Sequence, residues 1–309
     1  MMTQKSISAS VWGALIALAV IWGASFVSIR IALDEVGFLT AVAHRTFWAM
    51  LILWVFTALR RLPLPRDPKI WGAFLVMGLL NNVIPFGLMA WGQLHIESGL
   101  TSILNAATAI FGVLAAALFF ADERLTPRKI IGVGFGFVGV ATAIGLDNLR
   151  SFDIRSLAQV AIIAGTMFYA LASVWARTML SDLPPQIAAA GMLTGSTLIT
   201  VPTAWVVEGP ITLSLSPDTL LAIGYYSIIA TAGAYLLYYW ILSRAGSGNL
   251  MLVTLMIPPV AIILGAYMLD EALPANAYTG FALLAAGLII LDGRVWPRRR
   301  AIDPPRVPR

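Results

Sequence analysis

Residues 247 to 293, SGNLMLVTLMIPPVAIILGAYMLDEALPANAYTGFALLAAGLIILDG, restrict this chain more than any other stretch. Two apolar runs, Leu250–Leu269 and Ala277–Leu291, flank a polar turn carrying Asp270, Glu271, Pro274 and Asn276. At 1.5 Å per residue, a run of about 20 residues crosses the roughly 30 Å hydrocarbon core of a bilayer, so the stretch reads as a transmembrane helical hairpin. Its turn has a double upstream. Asp122, Glu123, Leu125, Gly132 and Gly139 recur as Asp270, Glu271, Leu273, Gly280 and Gly287, a D-E-x-L-x6-G-x6-G skeleton displaced by 148 residues. One unit is written twice.

Composition closes off the soluble classes. Of 309 residues, 59% are hydrophobic and 11% charged, against about 25% charged in a soluble domain. Cysteine is absent, which excludes disulfides, thiolate metal sites and cysteine nucleophiles. The two histidines, His44 and His95, lie near one membrane face and lack a two-histidine metal spacing, so neither a zinc site nor a hydrolytic triad assembles and no cofactor or metal is expected. The net charge of +5 sits in short loops and in the tail from Arg294 to Arg300, where it anchors helices and does not mark a nucleic-acid surface.

Apolar runs between polar or Pro/Gly-rich breaks predict ten spans: 10–30, 38–59, 70–93, 98–120, 128–146, 157–179, 187–207, 218–242, 249–269 and 275–292. Lipid offers no partner to an unpaired backbone group and the alternation of a barrel is missing, so all ten are helices. The expected fold is an all-α integral membrane bundle. Alternating the loops puts Lys5, Arg60, Arg61, Arg66, Lys69, Arg124, Arg128, Lys129, Arg177, Arg244 and six tail arginines on one side, against Arg150 and Arg155 on the other. The positive-inside rule then makes both termini cytoplasmic. Five spans per half is an odd number, so the halves are inverted: 1–149 is the first repeat, 150–296 the second, and 297–309 a basic cytoplasmic tail. Inverted repeats can exchange conformations around a central cavity, which is alternating access.

These residues resemble the drug/metabolite transporter superfamily, in particular its EamA-type ten-helix exporters. The resemblance is carried by Trp22-Gly23-Ala24-Ser25-Phe26 with Arg30, by Arg45, by Asp122-Glu123-Arg124-Leu125 with Gly132 and Gly139, and by Pro258-Pro259 with Leu269-Asp270-Glu271, Gly280 and Gly287. The Gly-Glu pair usual in that family is Asp-Glu here. Tyr225, Tyr226, Tyr235, Tyr238, Tyr239 and Trp240 resemble its aromatic amino acid exporter branch. The resemblance implies a multi-pass protein of the bacterial inner membrane that exports amino acids or other small metabolites. Nucleosides, sugars and cationic toxicants stay open as cargo, and so does an integral membrane enzyme as a different class. The expected partners are a small-molecule substrate and the lipid bilayer, with no nucleic acid and the chain acting as a monomer.

Gly134, Gly136 and Gly139 match a dinucleotide fingerprint, but they lie inside an apolar run with no preceding strand. Gly132, Gly136 and Gly139 share one helical face instead, the small-residue stripe that lets membrane helices approach closely. The expected substrate site comprises mid-span polar and aromatic residues: Trp22, Ser25, Asn81, Asn82, Pro85, Asn105, Tyr169, Ser173, Tyr235, Tyr239 and Thr254. Asparagine amides beside a proline-freed carbonyl can hold a zwitterion without formal charge. His44 and Arg45 are expected at the cavity mouth, with Arg45 as a contact for a substrate carboxylate or as a bridge to Glu97. No acidic residue occupies the middle third of a span, so transport without proton or sodium coupling is expected.

Overall fold

The computed structural model describes residues 8–145, 153–250 and 252–292, apart from the side chains of residues 247 and 248. Lys5, Arg150, the tail arginines and the expected tail segment 297–309 lie outside these residues. Ten helices are long and apolar enough to cross a membrane: α1 (Ala9–Ala32), α2 (Phe38–Leu59), α3 (Pro68–Gly92), α4 (Ser98–Phe119), α5 (Pro127–Ile144), α6 (Ile154–Met179), α7 (Pro185–Glu208), α8 (Pro217–Gly246), α9 (Leu252–Leu269) and α10 (Ala275–Asp292). Their starts follow from local chemistry. Asp67, Thr126, Asp153 and Ser216 cap α3, α5, α6 and α8 with side-chain oxygens, and proline occupies the first turn of α3, α5 and α8, where its missing N–H is no loss.

Two helices widen in mid-membrane. A π-helical segment spans Leu79–Val83 in α3, and another spans Tyr225–Gly233 in α8. They fall at the same place in each half. In α3 the cause is Pro85, which cannot donate to the carbonyl four residues back. In α8 the Thr231 hydroxyl donates to the Tyr226 carbonyl at 2.7 Å, occupying an acceptor five residues back.

Packing repeats the duplication. Helices α2 and α7 pack together, as do α5 and α10, and α4 and α9. Each pair joins a helix to its equivalent in the other half. Other contacts come in exchanged sets: α1 touches α8 and α9 as α6 touches α3 and α4, and α2 meets α8 as α7 meets α3. Swapping the halves carries each of these contacts onto itself or another of them, as an inverted repeat requires.

The α5–α10 seam is the closest approach. A Cβ on Gly132 would sit 2.8 Å from the Gly287 carbonyl, and one on Gly287 would sit 2.7 Å from the Gly132 carbonyl. Gly139 faces the Gly280 carbonyl in the same way, at 2.8 Å. These glycines therefore serve backbone-to-backbone packing, and the fingerprint spacing carries no nucleotide chemistry.

The two ends differ. At the end holding the α1–α2, α3–α4, α7–α8 and α9–α10 loops, four glutamates reach from one half to the other. Glu208 accepts from the amides of Leu39 and Thr40 at 2.9 and 2.8 Å, closing the N-terminus of α2. Glu271 accepts from the Ser98 amide at 2.8 Å and the Ser98 hydroxyl at 2.7 Å, closing α4. Glu35 accepts from Ser216 at the start of α8, and Glu97 pairs with Arg155 of α6 at 2.6 Å. Glu271 thus caps a helix of the opposite half and not the helix that follows it. At the other end, among the described residues, the ion pairs that cross between halves are those of Arg177 with Asp122 at 2.7 Å and Glu123 at 4.0 Å.

The seam predicts a position-specific response to alanine. Gly139→Ala and Gly280→Ala should each destabilise the purified protein by about 1–3 kcal/mol through overpacking. Gly134→Ala, whose Cβ meets nothing within 4 Å, should be neutral. Thermal unfolding in detergent measures all three; equal losses would contradict the packing account.

Candidate functional site

Arg45 lies seven residues into α2, about 10 Å along the helix from its first residue. It does not reach Glu97, which is held by Arg155. Its Nε donates to the Thr231 hydroxyl in the wide turn of α8 at 2.9 Å, and its guanidinium carbon stands 3.9 Å from the centre of the Phe86 ring in α3. Among the described residues its two terminal nitrogens donate to nothing, and no carboxylate comes within 4 Å. Tyr169, Tyr226 and Tyr235 are the residues within its electrostatic reach. The side chain is half-buried.

The wide turn of α3 supplies the amides. Asn82 is fully buried; its Nδ2 donates to the Ser196 hydroxyl of α7 at 2.8 Å. Asn81 is half-buried and donates through Nδ2 to Asn82 Oδ1 at 3.1 Å and to the Tyr235 hydroxyl at 3.3 Å. Rings then continue across the interior. Tyr235 stacks on Tyr239 with centroids 6.5 Å apart, Tyr239 meets Tyr238 edge-on at 5.4 Å, and Tyr238 lies 5.9 Å from Trp22. Trp22 Nε1 donates to the Ala230 carbonyl at 3.1 Å, within the wide turn of α8. Tyr169 meets Phe86 edge-on at 6.5 Å. Pro85 is buried beside Phe86.

Arg45, Asn81, Asn82, Pro85, Tyr169, Tyr235, Tyr239 and Trp22 are thus linked through α1, α2, α3, α6 and α8, from both halves. The other expected residues are placed elsewhere. Ser173 is exposed and donates to the Ala170 carbonyl of its own helix, and Ser25 is buried and donates to the Trp22 carbonyl; both are engaged in helix-internal bonds. Thr254 borders a crevice with Leu252, Leu288 and Asp292. Asn105 stands at the break in α4 between Ser98–Asn105 and Thr108–Phe119, with a buried Oδ1 that finds no partner. His44 is buried and accepts from the Trp48 indole at Nδ1. Thr231, Phe86 and Ser196 were not apparent from the sequence. Each joins the cluster through a contact from a distant helix.

The EamA-like transporter family matches residues 10–145 and again 156–291. The two matches cover both halves of the bundle, and the crossed contacts of the halves agree with them. The chain belongs to the EamA-like transporter family. It is therefore a multi-pass membrane transporter, whose partners are a small-molecule substrate and the bilayer. Relatives of this transporter are distant. It is 25% identical over 97% of its length and 98% of the other chain to a probable terminal-alkyne amino-acid exporter of Streptantibioticus cattleyicolor. It is 22% identical, over 88% of this chain and 91% of the other, to a probable amino-acid metabolite efflux pump of Escherichia coli (strain K12). A crystal structure sharing 16% of residues matches with a TM-score of 0.65 over 92% of this chain and 96% of that one, a likeness of fold alone.

In this transporter the two asparagines do different work. Asn82→Leu should cost about 1–3 kcal/mol of stability, because Ser196 and the Asn81–Tyr235 pair lose a buried partner. Asn81→Leu, at a half-buried position, should cost less stability and more transport. Paired thermal unfolding and uptake measurements separate the two; a stable Asn82→Leu protein would show that the bond to Ser196 is not structural.

Proposed function

We propose that this transporter exports small amphipathic metabolites, aromatic or large apolar amino acids above all, by alternating access and without obligatory ion coupling. The observation that carries the reading is the contrast between the middle and the ends of the bundle. A half-buried cluster of amides, tyrosines and one arginine lies between the inverted halves, while four glutamates tie the halves together at one end. Loosening those ties on one side and tightening the other would transfer access to the same cluster, which is what repeat inversion permits. Tyrosine and tryptophan rings offer apolar area, and amides offer orientation, a combination suited to a small molecule with a polar head. The names of the two relatives support amino acids as the class.

The basic loops support an orientation with the glutamate-tied end outside and both termini in the cytoplasm, and the inner membrane of a bacterial cell is the compartment of this reading. The two repeats 1–149 and 150–296 are then the moving units.

Export is tested by counterflow. Reconstituted protein loaded with an unlabelled amino acid should accumulate the labelled one at matched pH and sodium. Flux that needs an imposed proton or sodium gradient would overturn the uncoupled mechanism, and no flux across a panel of amino acids would overturn the substrate class.

The outer ties also carry a pH dependence. Hydrogen bonds from the Thr219 and Ser216 hydroxyls and the Ser216 amide hold the Glu35 carboxyl below its ordinary value of 4.5. A depressed carboxyl contributes its stabilisation fully above 4.5 and loses it as pH falls through the lowered value. Spin labels on Asp34→Cys and Leu213→Cys, unique in a chain without cysteine, should keep one distance distribution from neutral pH down to about 5 and broaden only below the ordinary carboxylate range. Broadening near neutrality would refute the assignment.

A further inference from the structure

The arginine at the centre of the cluster has a fork of donors that meets no acceptor among the described residues. We propose that Arg45 binds the carboxylate of the transported molecule, so that the site selects carboxylate-bearing compounds over amines and amides of the same shape. This rests on the transport reading above and names the chemistry of its site.

The orientation of the side chain is fixed from two directions. Thr231 takes Nε at 2.9 Å and the Phe86 ring covers the guanidinium from 3.9 Å. A snorkelling arginine would run along its own helix towards water; this one is held between α8 and α3. With Nε occupied, the two terminal nitrogens remain, and they form the end-on fork that meets both oxygens of a carboxylate. Among the described residues no carboxylate reaches that fork. Glu35, Glu97, Glu208 and Glu271 are each engaged at the end of the bundle, with Ser216, Arg155, the α2 N-terminus and the α4 N-terminus respectively.

The surroundings suit the rest of an amino acid. Tyr235 is within electrostatic reach of Arg45 and accepts a hydrogen bond from Asn81, so one tyrosine separates the cation from the amide. Asn81 uses its Nδ2 on Asn82 and Tyr235, which leaves its carbonyl oxygen as an acceptor for an ammonium group. The stacked pair Tyr235 and Tyr239 provides the apolar wall. Carboxylate, ammonium and side chain thus have separate places. The arginine supplies recognition that shape alone would not: a site built to pair a charged group rejects an isostere lacking it more strongly than an apolar pocket rejects a size change.

The test compares matched ligands on purified protein. Amino acids with varied side chains, their carboxamides, 3-phenylpropanoate and phenethylamine are scored by thermal stabilisation in detergent, and the same set by competition for uptake in proteoliposomes. The expected result is binding of one or more amino acids and of 3-phenylpropanoate, with the carboxamides and phenethylamine at least tenfold weaker. Arg45→Gln should erase that preference, and Arg45→Lys should keep it with about tenfold weaker binding, since a point charge replaces the fork. Thr231→Val, which frees Nε while keeping the charge, should weaken carboxylate binding without abolishing it. Equal stabilisation of the unaltered protein by acids and amides, or a preference that survives Arg45→Gln, overturns the proposal, and the first of these needs no variant to fold. Carboxylates that bind through Arg45 without any amino acid being carried would leave this assignment standing and remove the amino-acid reading. Amino-acid transport with an unchanged KM in Arg45→Gln would do the reverse.

Discussion

Inside a bilayer every backbone N–H and C=O must be satisfied by the protein itself, and the two π-helical segments, where α3 and α8 depart from regular bonding, are where its polar chemistry gathers. The wide turn of α3 carries Asn81 and Asn82; that of α8 carries Thr231. In α8 the departure is answered by side-chain donors. Trp22 donates to the Ala230 carbonyl, and the Thr231 hydroxyl donates to the Tyr226 carbonyl while accepting from Arg45. A loosened carbonyl needs a donor, and the donors that answer are the aromatic and polar residues of the candidate site. The irregularity therefore organises the site around itself, as π-bulges commonly do.

The same two-fold plan distributes rigidity and movement. Along the α5–α10 seam, glycines of the two halves bring backbone against backbone, a contact that a shift of even one methyl group disturbs. The glutamate ties are of a different kind. Three of the four grip helix N-termini, where unsatisfied amides and the helix dipole favour an anion, and two of those three, Glu35 and Glu208, are exposed, where water can replace them at modest cost. A bundle with a close-packed seam and exchangeable ties has an evident division between what stays and what opens.

Much of this was legible in the sequence, and the reason differs from feature to feature. The ten spans and the inversion follow from run length, the 148-residue recurrence and the placement of lysine and arginine, all of them one-dimensional signals. The glycine stripe on α5 was legible because helical period fixes which residues share a face. The site was only half legible. Asn81 and Asn82 look alike in sequence, yet adjacent helical residues point about 100° apart, so one is half-buried and the other wholly enclosed. Ser173 satisfied the same mid-span criterion, yet it is exposed and bonded within its own helix. Thr231, Phe86 and Ser196 were invisible because their roles depend on partners 41 to 186 residues away, and Glu271 could not be matched to Ser98, 173 residues off, from its local context.

Arg45 brings the energetic argument to a point. An arginine within a span costs at least about 2.5–3.5 kcal/mol unless it is paired or hydrated, whereas a hydrogen bond to Thr231 returns about 1 kcal/mol and a ring contact such as that with Phe86 about 0.5–2 kcal/mol. The two contacts come close to holding the charge in place but leave it without a counter-ion. A fold under no functional demand would lose little by replacing such a residue with an apolar one, because buried charges seldom improve on hydrophobic packing. What favours keeping the guanidinium is a partner that is absent for part of the working cycle and present for the rest. A molecule bearing a carboxylate is such a partner, and its binding would bring the deficit near zero in the same step that loads the carrier.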